Sequence, residues 1–207
     1  MNQTGCYSFI FKLSCNYPTA SQNRLAKILE RVETTLNNLF QSKSITEAQY
    51  MAIKIDRSTV RMNYLYFVSD THKEGIPVQP IMVCNEGPTM GISRYHGRLL
   101  GLLFNDATHY HSIQGIKIAT ILQLVRLVLD EQYFIYNYNF YRQTTGSASG
   151  SSLTIPLVYI YLFYWQPDLL EDLINKNELF FRYRDEAFIT WNRSEDELRT
   201  LLAMANA

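Results

Sequence analysis

The sequence predicts an α+β fold, with helices packed on a small antiparallel sheet. Apolar residues recur at helical spacing in several long stretches, and short aromatic-rich runs lie between them. Clusters of glycine and proline punctuate the boundaries. The 207 residues are 47% apolar with zero formal net charge, which supplies one sizeable core and argues against global disorder.

Residues 1–24 read as an irregular lead-in. Leu25, Ile28, Leu29, Val32, Leu36 and Phe40 then mark one face of an amphipathic helix. Thr46 and Gln49 have capping-box spacing, so a second, short helix follows. Asn63 to Val68 is a strand candidate. Ser69 to Ser93 holds six glycines and prolines and should form loops and short strands. Tyr95 to Phe104 can be helical, Asn105 to Gly115 is polar, and Ile116 to Leu129 is one continuous helix. Tyr133 to Tyr141 reads as a hairpin around Asn137 and Asn139. After the small-residue tract TTGSASGSS at 144–152, a buried helix begins at Leu153, with Pro156 in its first turn. Phe180 to Trp191 reads as two short strands around a charged bend. Ser194 and Glu197 announce a last helix. No repeat or long linker appears, so one compact domain is expected.

Composition limits function. Residues 1–103 carry 11 basic and 7 acidic side chains, and residues 104–207 carry 8 and 12. A basic half beside an acidic half fits a polyanion groove next to a metal site, and also ordinary scatter. Cys6, Cys15 and Cys84 cannot form a complete disulfide framework, and no secretory pattern opens the chain. An intracellular setting, nucleus or cytoplasm, is expected. No apolar run reaches the roughly 18 residues of a membrane span, so no membrane partner is expected. HExxH, the Walker pattern and GxSxG are absent. Histidines 72, 96, 109 and 111 lack zinc-like partners.

Two segments carry more chemistry. In GSASGSS, Gly146, Ala148 and Gly150 remove bulk, so a backbone or a nucleotide can approach. Ser151 and Ser152 stand at the mouth of the next helix, where amides favour anions. The bland alternative is a turn and a helix cap. In FFRYRDEAFITW, Asp185 and Glu186 sit together between aromatic strands. That pair can ligate a hard divalent cation, or belong to an ordinary solvated turn.

In order, THKEGIPVQPI at 71–81, YRQTTGSASGSSL at 141–153 and YRDE at 183–186 resemble a reverse transcriptase domain of a Penelope-like retroelement. Flanking text from about Leu25 to Asn206 fits as well. The resemblance implies a remnant of the fingers-palm part of a right-hand polymerase without a thumb. Fingers would cover about 25–104 and an incomplete palm about 105–207. It implies an RNA-directed DNA polymerase ancestry, with RNA or DNA template-primer and deoxynucleoside triphosphates as partners. Lys73, Gln143, Gly146, Ala148, Gly150, Ser151 and Tyr183 would then lie at the nucleotide or template. Asp185 and Glu186 would be the catalytic, metal-binding carboxylates for Mg2+ or Mn2+.

Departures from the pattern imply an impaired or inactive chain. Glu186 stands in place of a second aspartate, and Gln79 where relatives have arginine. The strand bearing an earlier palm aspartate is missing: LLFNDATHYHSI at 102–113 passes straight into IKIATILQLVRLVLD at 116–130. Asp106 is the only carboxylate between Glu86 and Asp130. Two-metal phosphoryl transfer needs carboxylates converging from two strands. The alternatives are a non-catalytic nucleic-acid binding module and a non-functional or protein-contact remnant. Loss of a strand also leads us to expect self-association.

Overall fold

The computed structural model describes residues 12–14, 21–69, 78–103, 111–183 and 186–205. Among these the fold is mixed α and β, with six helices and nine strands. Contacts divide it into two compact units, Ser8–Pro156 and Leu157–Ala207. The physical reason is that the segment after Pro156 builds a core of its own.

In the first unit, β1 (Lys12–Ser14), β2 (Asn63–Ser69), β3 (Val78–Val83), β6 (Tyr133–Tyr136) and β7 (Asn139–Thr145) form one sheet in the order β1-β7-β6-β2-β3. It is antiparallel except where β2 runs parallel to β6, pairing Asn63 with Phe134. The sheet is thus antiparallel-rich, with one parallel pair. That pair joins strands seventy residues apart through an intervening helical crossover, which local patterning does not reveal. Among the described residues before position 25, β1 pairs with β7 and α1 starts at Ser21.

The helices follow their sequence signals. α1 (Ser21–Gln41) buries Ile28, Leu29, Val32, Leu36 and Leu39. It ends in a Schellman turn, with Lys43 at φ 57° and the Ser44 amide donating to the Leu39 carbonyl. α2 (Glu47–Ile53) has the expected capping box between Thr46 and Gln49. α3 (Met90–Leu103) starts five residues earlier than the apolar text at Tyr95. Gly91 is a packing residue there, not a turn residue, since a Cβ on it would lie 2.9 Å from the Ile53 carbonyl oxygen. α4 (Ile118–Asp130) is shorter than expected. Ile116–Lys117 instead forms β5, paired with β4 (Ser112–Ile113) around Gln114 and Gly115, both at positive φ. Asn137 and Tyr138, not Asn139, hold the positive φ angles of the β6–β7 turn.

The Leu157–Ala207 unit holds the body of α5 (Thr154–Asn175), which starts with Pro156 in its first turn and continues through Pro167. β8 (Phe180–Tyr183) and β9 (Glu186–Ile189) form the expected hairpin, and α6 (Glu195–Ala205) follows Ser194. Asn177, at φ 55°, ends α5 in a Schellman turn. Leu169, Leu173 and Leu201 form the core, flanked by Trp165, Phe180, Ile189 and Trp191. The helix is less buried than the sequence implies, with Tyr161, Phe163, Tyr164 and Ile174 exposed. Among the described residues no helix is long and apolar enough to cross a membrane.

Candidate functional site

Gln143, Gly146, Ala148, Gly150 and Ser151 all fall in the Ser8–Pro156 unit, at the end of β7 and the entry to α5. Gln143 is buried. Its backbone amide donates to the Gln132 carbonyl at 2.9 Å, and its side-chain nitrogen donates to the Thr145 carbonyl at 3.0 Å. Gly146 is exposed and needs to be glycine, with φ at 74°. Ala148 is buried in the sheet core with Leu65, Met82, Cys84 and Phe134. At Gly150 a Cβ would lie 2.3 Å from the Met82 carbonyl oxygen. The close approach that the small residues allow is therefore, at Gly150, that of β3. Ser151 accepts a hydrogen bond from the Leu153 amide and donates to the Ser93 hydroxyl, both at 3.3 Å. Its oxygen is engaged at the helix mouth, and the tract serves packing there.

A directed hydrogen-bond relay crosses the same place. The Gln132 side-chain nitrogen donates to Ser147 Oγ at 3.4 Å. Ser147 donates to Thr154 at 2.8 Å, and Thr154 donates to the Ala148 carbonyl at 2.5 Å. Each hydroxyl accepts once and donates once. Gln132 Oε1 is left buried without a partner among the described residues. The sequence reading missed Gln132, Ser147 and Thr154. The polar residues that bracket the small tract were the available signal.

Tyr183 and Glu186 fall in the other unit, where their backbones pair and close the β8–β9 hairpin. Tyr183 is exposed. Phe181 and Phe188 face each other across the strands, with centroids 6.5 Å apart, and are 61% and 62% exposed. Glu178 anchors the hairpin base. Its carboxylate is buried and accepts from the Asn192 amide and the Thr190 hydroxyl, each at 2.8 Å. Lys73 and Asp185 lie outside the described residues, as do Asp106, His72 and His109. Among the described residues, no three His, Cys, Asp or Glu side chains converge as a metal cage.

Three titratable groups have environments that set their state. Burial pushes the Cys84 thiol up to about 12, so it is an inert packing group rather than a nucleophile. Burial lifts Glu131 above its usual range, more than the Arg31 and Arg142 cations lower it. His96 is fully buried on α3, with Nδ1 3.0 Å from the Ile92 carbonyl and Nε2 lacking a partner among the described residues. Burial lowers its pKa from 6.5, more than the contact with Ile92 raises it.

The unfolded chain therefore takes up a proton near pH 6.5 that folded His96 resists. Its contribution to stability is full above that range and falls as pH drops through it. Thermal melts between about pH 7.5 and pH 5 should show the decline, and His96→Gln should flatten it. Glu131 has the opposite sign, because its raised pKa favours the folded state at lower pH. The difference between the two proteins isolates the histidine. Parallel profiles would refute this account.

No family model, curated protein or solved structure matches the chain.

Proposed function

We propose that this chain derives from an RNA-directed DNA polymerase of the Penelope-like kind and is impaired or inactive as a nucleotidyl transferase. The observation that carries the reading is an order of elements. A strand ends in a small-residue tract, a 22-residue helix follows, and the YRDE segment then closes a hairpin by pairing Tyr183 with Glu186. That order suits a polymerase palm, in which the hairpin would carry Asp185 and Glu186 toward a primer end.

The donor set limits the chemistry. Two adjacent carboxylates on one hairpin fit a single Mg2+ or Mn2+, with nucleotide phosphates completing its shell. They do not fit a pair of metals held in line, which needs a carboxylate from a second strand. The sequence between Phe104 and Gly115 offers only Asp106. Primer extension on an RNA or DNA template, with either metal, should give no product. Extension that Asp185→Ala abolishes would overturn the inactive reading.

A protein-contact remnant is the second reading, and the exposed Phe181–Phe188 pair favours it. Apolar rings on a two-stranded hairpin have no cover within the hairpin itself.

A further inference from the structure

Among the described residues β3 ends the five-stranded sheet, so one of its sides has no strand beside it. Such an edge usually carries a charge, a bulge or very few residues, each of which discourages another chain from pairing there. β3 has none of these. Its six residues, VQPIMV, include no charged side chain. Its register with β2 runs unbroken from Val83 to Val78. Apart from Pro80, it has the low charge and β-branched content of a strand that pairs with its own copy.

The directions of the amides show how this edge is closed. In an antiparallel pair the amide and carbonyl of one residue point to the same side, and the side alternates along the strand. The Met82 amide donates to Ser149 Oγ at 3.1 Å, away from β2. Met82, Pro80 and Val78 therefore present their backbone groups outward, while Val83, Ile81 and Gln79 face β2. At Met82 the outward side is filled. Ser149 takes the amide, and Gly150 comes so near that a Cβ on it would collide with the Met82 carbonyl oxygen. The same Cβ would lie 3.3 Å from the nitrogen of Cys84, just beyond the strand. Pro80 has no amide to offer, and it is tolerated because its nitrogen faces away from β2. Of the outward residues, only Val78, 62% exposed, keeps both an amide and a carbonyl for an incoming strand. A ladder needs successive positions two residues apart, so a strand arriving here finds one complete position.

We propose that Pro80 and the Ser149–Gly150 strap close the β3 edge against a second copy of this chain, and that without them β3 pairs with the β3 of its copy. A second copy is the occupant that fits. Antiparallel self-pairing about a two-fold axis gives each strand an identical partner, and no charge on β3 opposes it. The closure sits at the sheet edge and does not depend on the polymerase reading, so the failure of either leaves the other standing.

The test is sedimentation velocity with the full chain over a concentration series. The double variant Pro80→Val, Ser149→Ala restores one outward donor and frees another. It should dimerise at least about tenfold more tightly than the parent, through the hydrogen bonds these donors make. Adding Val78→Lys should return it to the parent's behaviour, because lysine on an exposed edge opposes pairing and Val78 lies outside the strap. Circular dichroism melts check that each variant is folded. Residue-resolved hydrogen exchange reads the parent directly. The Met82 amide should be protected like that of Ile81, which faces β2, and the Val78 amide should exchange faster. The proposal is overturned if the folded double variant sediments as the parent does, or if its added association survives Val78→Lys. It is also overturned if Val78→Lys alone dissociates a dimer of the parent, since the edge would then be open already. If the double variant does not fold, the exchange comparison decides: a Met82 amide that exchanges as fast as that of Val78 overturns the proposal.

Discussion

Gly150→Ala should lower the melting temperature of the Ser8–Pro156 unit by roughly 5–10 °C, the effect of about 2–3 kcal/mol in a chain of this size. The added methyl would lie 2.3 Å from the Met82 carbonyl oxygen and 3.3 Å from the Cys84 nitrogen. Both are backbone atoms of, or next to, a paired strand, so no side-chain rotation relieves the contact. β3 must move, and moving it strains its ladder to β2, where Met82 pairs with Leu65. Gly115→Ala is the informative comparison. Its φ of 80° disfavours a side chain, but nothing lies within 4 Å of the added atom. Its cost should be about 1 kcal/mol. Calorimetry on both variants ranks them, and equal effects would mean that the close approach at Gly150 does not constrain the sheet.

Leu173→Ala should unfold the C-terminal unit locally while the five-stranded sheet stays protected. Leu173 is fully buried, and the core around it consists of two other buried leucines, Leu169 and Leu201, and a rim of aromatics. A buried Leu→Ala change costs about 2–5 kcal/mol. A unit of some fifty residues has little more than that to lose. Hydrogen exchange followed by mass spectrometry should show β8, β9 and α6 losing protection while β6 and β7 keep theirs. Loss spread evenly over the chain, or no loss, would contradict a separate core in Leu157–Ala207.

Much of the fold was legible because its signals are local. The Thr46–Gln49 capping box, the Pro156 helix start and the pairing of Phe180–Tyr183 with Glu186–Ile189 depend on neighbours within a few residues. What escaped depended on distance. The parallel register of β2 and β6 joins residues seventy apart, and the separate core after Pro156 depends on Leu169 meeting Leu201. Gly91 read as punctuation and proved to be a contact with Ile53, because glycine has the same letter in a turn and in a tight packing site.

The candidate site was legible in part. Small residues at 146–150 do permit a close approach, but at Gly150 the approaching backbone is β3. The strand candidate from Asn63 to Val68 was legible and is β2.

The N-terminal strand has a consequence for synthesis. Lys12–Ser14 finds its hydrogen-bond partners in Arg142–Thr145, some 130 residues later. At about 5–20 residues per second the ribosome needs roughly 6–26 seconds to make that partner. For all of that time the strand's amides stay hydrated, and α1 can form while the sheet edge beside it does not yet exist. The nascent chain therefore adds its first strand late, and an arrest before residue 139 leaves a product with β7 and the edge it offers both missing.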